Sequence, residues 1–170
     1  MSGSSSWGAD HRRNDRRVSQ SRIALLVVLL VAPIPACSEG PLSPGQRHQL
    51  ELARARWARG GSSDYTVESR IACFCPPHLS YWTRLTVRAG QIISTEPVEP
   101  LPDGIESSTL GWQTVDEVFA VIGSLDSDMI RAVTLRFDPV LGYPLEVRIT
   151  CHENIQDCGV VREMRSLQLP

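Results

Sequence analysis

The sequence predicts an α+β domain: two short helices packed on a mainly antiparallel sheet of about six strands. Three observations carry this expectation. Ser43-Pro44-Gly45-Gln46 and Thr114-Val115-Asp116-Glu117 each have the spacing of a capping box followed by apolar residues at helical intervals. Several runs of six to ten residues alternate apolar and polar side chains, the period of a half-buried strand. Gly and Pro pairs punctuate these segments, so the chain reads helix, three strands, helix, three strands. That order suggests a structural duplication, although no residue-level repeat accompanies it.

The 170 residues leave room for one domain. Residues 1–36 read as a signal peptide of the lipoprotein type. Met1 to Arg22 are polar and Arg-rich, and Ile23 to Ala32 is an unbroken apolar run. An ordinary membrane-spanning helix needs roughly 20 apolar residues, so the run is too short to be one. Ile34-Pro35-Ala36-Cys37 then resembles a bacterial lipobox, with Pro35 where a small residue is usual. The resemblance implies that Cys37 carries diacylglycerol with palmitate-type chains and becomes the new N-terminus. Residues 37–44 form the lipidated cysteine and tether, and 45–170 the domain. The expected location is the outer face of a bacterial membrane, held by the lipid.

Charge narrows the partners. All 17 basic residues are Arg. Beyond residue 36, twelve Arg face seventeen Asp and Glu, a balance near −5 that argues against nucleic acid.

In the first helix Leu50, Ala53 and Trp57 share one face, and Gly60-Gly61 ends it. Tyr65 to Cys75 alternates as a strand, with Tyr65, Val67, Ile71, Cys73 and Cys75 on the inner face. Pro76-Pro77 stops it. Tyr81 to Arg88 follows with Leu85 and Val87 inside, and Ala89-Gly90 turns the chain into Gln91 to Glu96, completing a meander. Glu96 to Glu106 holds three prolines and four acids and reads as an exposed loop. The second helix presents Val115, Val118, Phe119 and Ile122 on one stripe and closes at Gly123. Arg131 to Phe137 and Leu145 to Ile149 form a hairpin through Gly142, and Val160 to Leu169 a last strand.

Removing Cys37 from the count of five cysteines leaves four, an even number that suits an exported protein with structural disulfides. Residues i and i+2 of an extended strand stand more than about 6 Å apart, so a Cys73–Cys75 bond requires a bend. Two pairings remain open. Cys151–Cys158 closes its own loop, for roughly 2.5 kcal/mol, with Cys73 and Cys75 bonded to each other or free; or both inner cysteines cross to Cys151 and Cys158. A bonded Cys73-Phe74-Cys75 also suits thiol-disulfide exchange, and Cys73, Cys75, His78 and His152 offer soft metal ligands. No cofactor is expected. The chain holds no Gly-rich phosphate loop, His-Glu-x-x-His or Gly-x-Ser-x-Gly, and Asp126 and Asp128 read as a solvated helix exit. The chain is therefore expected to be a non-enzymatic binding module for a protein or envelope component. Its surface is expected on the polar face of the second strand, at Trp82, Arg84 and Arg88.

With Cys73-Phe74-Cys75-Pro76, the Thr114 to Phe119 helix and Phe137-Asp138 leading to Gly142-Tyr143-Pro144, the stretch from Tyr65 to Thr150 resembles an uncharacterised bacterial lipoprotein family. This is domain-of-unknown-function family 6174, and the resemblance implies no activity. Cys151 and Cys158 depart from the motif pattern. The helix-plus-meander order is also similar in outline to the secreted inhibitors of beta-lactamases, an analogy of architecture.

Overall fold

The computed structural model describes residues 40–126, 128–155 and 157–170. The expected leader and Cys37 lie outside the described residues.

Helix α1 (Pro44–Gly60) starts at the expected cap: Ser43 Oγ accepts from the Gln46 amide at 3.2 Å, and Gln46 Oε1 accepts from the Ser43 amide at 2.9 Å. Each satisfies a donor that the first helical turn leaves open. Leu50, Ala53 and Trp57 are its buried residues. Helix α2 (Val115–Gly123) repeats the device with Thr114 and Glu117, at 3.2 and 2.7 Å. It buries Val115, Val118, Phe119 and Ile122. A further open donor of α2, the Val115 amide, donates to the Tyr65 hydroxyl at 2.8 Å, so a strand residue completes the cap.

Strands β1 (Tyr65–Ala72), β2 (Thr83–Arg88) and β3 (Gln91–Pro97) form the first meander. Ala89 and Gly90 both take positive φ (49° and 73°), the pattern of the tight hairpin turn that matches strand twist. Strands β4 (Ile130–Phe137), β5 (Pro144–Cys151) and β6 (Val160–Gln168) form the second. The six strands are antiparallel in the order β3-β2-β1-β6-β5-β4. The helix, three strands, helix, three strands order is thus borne out. A repeat in space is not: the trios β3-β2-β1 and β6-β5-β4 share their order along the sheet, but β1 and β4, which match in chain order, run in opposite directions.

Two strands are shorter than expected by two residues or more. β1 stops at Ala72 and not at Cys75, because the backbone bends through Cys73 to Cys75. β2 starts at Thr83 and not at Tyr81, after a single 3-10 turn over Pro77–Ser80 that Pro77 opens.

Both helices pack on one face of the sheet. Leu50, Trp57, Val118, Phe119 and Ile122 share a single buried cluster with Tyr65, Val67, Leu85, Val87, Val133, Val147 and Met164. Trp57 meets Tyr65 edge-on at 5.4 Å between ring centroids, and Phe119 stacks on Phe137 at 6.0 Å. The β4–β5 turn rests on α1 at Gly142, whose φ is +83°. A side chain there would run into the Ala53 carbonyl oxygen and come within 2.9 Å of Arg56 Cβ. Asp138 shapes the same turn, accepting from the Val140 and Leu141 amides at 2.9 and 2.6 Å.

One charged side chain enters the covered face. Arg162 is 9% exposed; its Nη2 donates to Gln113 Oε1 at 2.6 Å, while Nη1 has no hydrogen-bond partner among the described residues. Burial pulls its pKa down to about 10, against the opposing pull of Glu117. Among the described residues no helix is long and apolar enough to cross a membrane.

Candidate interaction face and the paired cysteines

Alternation along β1, β2 and β6 sends Glu68, Arg70, Arg84, Glu163 and Arg165 away from the helices. Cross-strand register then sorts these charges into two rows. Glu96, Arg84, Glu68 and Arg165 stand opposite one another across β3, β2, β1 and β6. Arg70, Glu163, Glu146 and Arg136 do so across β1, β6, β5 and β4. Directly opposed residues are the closest side-chain neighbours a sheet offers. The first row alternates in sign; in the second, Glu163 and Glu146 face each other and each pairs outward with an arginine.

In the first row Glu68 is the hub. Its Oε1 accepts from Arg84 Nη2 at 3.0 Å and its Oε2 from Arg165 Nε at 2.9 Å, while Arg84 also reaches Glu96 at 3.9 Å. In the second row Arg70 Nε donates to Glu163 Oε2 at 2.5 Å, and Glu146 accepts from Arg136 and Arg148 at 3.4 and 3.1 Å. Burial on its own would raise the pKa of Glu68. The hydrogen bonds and charges of Arg165 and Arg84 outweigh that, and the carboxyl lies below its ordinary value.

Trp82 joins the two rows. The Arg165 guanidinium lies 3.9 Å from the centroid of its ring and that of Arg70 lies 4.9 Å away, both within cation–π range. The arginines of the face keep 42–64% of their side-chain surface in solvent, whereas Glu68, Glu146 and Glu163 keep 10–30%. Apart from Glu96 on the edge strand, which is 76% exposed, carboxylate lies beneath and guanidinium above.

Of the expected surface residues, the structure brings Trp82 and Arg84 into this network. Arg88 stands apart at the far end of β2, its Nη1 donating to the adjacent Val87 carbonyl at 3.4 Å. The sequence does not point to Glu68, Arg70, Glu163 and Arg165, although alternating charges on the polar positions of β1 and β6 were visible in it. What was missing is that β6 lies beside β1, a pairing between segments more than ninety residues apart.

The cysteines pair with their sequence neighbours. Cys73 bonds Cys75 with Cα atoms 5.2 Å apart, and Cys151 bonds Cys158 at 5.9 Å, so the crossed arrangement is not adopted. The first spacing is closer than an extended strand allows, which is why β1 ends where it does. Both disulfides sit at the same end of the sheet: Ala72 pairs with Val161, and Ile149 with Val160. Phe74, between the first pair, is 84% exposed. In the chain-entropy picture the Cys151–Cys158 loop contributes about 2.5 kcal/mol, and the three-residue Cys73–Cys75 loop only about 1.6 kcal/mol.

The histidines do not converge on these sulfurs as a metal site. His78 Nε2 lies 3.0 Å from the Leu110 carbonyl and its ring meets Trp112 edge-on at 6.3 Å. The His152 amide donates to the Met129 carbonyl. Among the described residues no group of three His, Cys, Asp or Glu is placed to hold a metal ion. Asp126 accepts from the Asp128 amide at 3.0 Å, a turn at the helix exit. On the helix side a cleft of about 600 Å³ is lined by Arg54, Trp57, Asp116 and Phe119 among others. The polar groups of two of its walls are already engaged: Trp57 Nε1 donates to Asp116 Oδ1 at 3.1 Å, and Arg54 donates to the Phe119 carbonyl.

No curated protein and no solved structure matches the chain. A family model does, over residues 49–168, a wider span than Tyr65 to Thr150 and one that takes in Cys151 and Cys158. The chain belongs to that family, a family of unknown function (DUF6174).

Proposed function

We propose that this protein is an exported, non-enzymatic binding domain. It is lipidated at Cys37, tethered through Ser38 to Pro44 to the outer face of a bacterial membrane, and engages an acidic envelope component with the open face of its sheet. The observation that carries the reading is the vertical sorting of charge around Trp82. Arg70, Arg84 and Arg165 are held by sunken carboxylates, which fixes their positions before any partner arrives, and their outer edges remain in water. Preorganised guanidinium groups beside an aromatic ring are what an anionic partner needs to bind without a large ordering cost.

Two experiments test it. Metabolic labelling with an alkyne fatty acid is expected to mark the wild-type protein and not Cys37→Ser; a labelled variant removes the lipid anchor at this cysteine. Co-sedimentation of the purified residue 40–170 fragment with a cell-envelope fraction is expected to fall at least tenfold in Trp82→Ala/Arg84→Ala, and to weaken with added salt. Equal co-sedimentation of the variant at every salt concentration removes the face from the account.

A further inference from the structure

The open-face reading leaves the Cys73–Phe74–Cys75 loop unused, and the loop is poorly explained as a staple. β1 is already paired with β2 on one side and with β6 on the other, the latter up to Ala72, so the fold is closed before the first cysteine is reached. A bond across a single intervening residue also restrains the unfolded chain less than one across a longer loop. Cys151–Cys158 is different. It closes the longer loop between the end of β5 and the lead-in of β6, and so restrains the unfolded chain more.

We propose that the Cys73–Cys75 disulfide accepts two electrons from a partner dithiol, while Cys151–Cys158 stays oxidised. Three features favour exchange at the first pair. Its Cα atoms are held at 5.2 Å, nearer than extended backbone permits, so reduction frees the chain to straighten. Both cysteines are half-buried and within reach of solvent, as Cys151 and Cys158 also are, so access permits exchange and the backbone and Phe74 select the pair. Phe74 projects between them at 84% exposure and supplies an apolar contact for a peptide that presents its thiols to the loop.

In the reaction a partner thiolate attacks one sulfur of the pair. The Cys73–Cys75 bond breaks, a mixed disulfide forms, and the released cysteine leaves as a thiolate that takes up a proton. The partner's second thiol, deprotonated, then attacks the partner sulfur of the mixed disulfide and displaces the other cysteine. The partner dithiol has lost two electrons and two protons, and Cys73 and Cys75 have gained them. The exchange is stoichiometric, and the pair returns to its oxidised form when a low-molecular-weight disulfide, such as glutathione disulfide, is reduced by the two thiols through the same two kinds of step.

The test uses the full exported protein and does not depend on the open-face reading. It is equilibrated in glutathione buffers of graded redox poise, acid-quenched and alkylated, and the cysteine peptides are weighed by mass spectrometry. Cys73 and Cys75 are expected to reach half-reduction in buffers at least tenfold more oxidising than those that reduce Cys151 and Cys158. In parallel, the oxidised protein is mixed with an equimolar synthetic Cys-x-x-Cys peptide. Rapid peptide oxidation is expected for wild type and for Cys151→Ser/Cys158→Ser, and its loss for Cys73→Ser/Cys75→Ser. Reduction of the two pairs together, or of Cys151–Cys158 first, overturns the proposal in the wild-type protein without reliance on any variant. Equal peptide oxidation by Cys73→Ser/Cys75→Ser overturns it as well.

Discussion

The two faces of the sheet are built from the same strands by opposite means. Toward the helices, Val67, Leu85, Val87 and Val147 are buried in a continuous apolar cluster, and the polar atoms that enter it are mostly tied down, as Tyr65 is by the Val115 amide. Away from the helices, Glu68, Arg84, Glu146 and Arg165 point outward and belong to two cross-strand rows held by ion pairs. Apolar burial is non-directional and scales with area, whereas half-exposed ion pairs each contribute little in water. The comparison teaches that the covered face holds the fold. The open face is ordered well beyond what stability requires of it.

The sharpest way to break that comparison is to cut into the covered face. Leu85 is fully buried; Leu85→Ala is expected to cost about 2–5 kcal/mol in chemical denaturation, the range for large-to-small core changes. Gly142→Ala should cost about 2 kcal/mol, because it forces a side chain onto a left-handed backbone already pressed against α1. A denaturation midpoint equal to wild type for either variant would mean that the helices do not hold this face.

On the open face the effects should shrink. Glu68→Gln removes the charge that Arg84 and Arg165 share and replaces one of the two acceptor oxygens by a donor, and an expected loss of about 1–2 kcal/mol reflects hydrogen bonds to charge, discounted for arginines that are half in water. The same residue sets a pH dependence. Its folded pKa lies below the ordinary 4.5, so its contribution is present above that value and is lost as pH falls through the lower, folded one. The stability gap between wild type and Glu68→Gln should therefore be constant near neutrality and narrow in acid; a gap that widens on acidification contradicts the pairing. Arg136→Ala, at the outer end of the second row, should cost no more than about 0.5 kcal/mol and nothing at high salt.

How legible each face was depends on how far apart in sequence its contacts lie. Both capping boxes, the Leu50-Ala53-Trp57 stripe and the Val115 to Ile122 stripe are local patterns and occur where they were expected. Strand alternation tells inside from outside, so it puts Leu85 and Val87 in the core and Trp82 and Arg84 on the polar face. Alternation does not say which strands are neighbours. The Glu68–Arg165 and Arg70–Glu163 pairs depend on β6 returning to the centre of the sheet, and a bulge at Ser166, with φ 53°, adjusts their register. At Cys73 the alternation misleads: it continues to Cys75, but a bond across one residue bends the backbone, and covalent geometry overrides the pattern.

The claim that the open face is an interaction surface is tested most directly by placing a photoreactive amino acid at one position on each side of the domain. Arg88, exposed on the open face at the end of β2, is compared with Glu51, exposed on α1. After irradiation of intact cells, the account predicts discrete adducts from position 88 that disappear in Trp82→Ala/Arg84→Ala, and none of comparable yield from position 51. Equal adducts from both positions, or adducts at 88 that survive loss of Trp82 and Arg84, would contradict it.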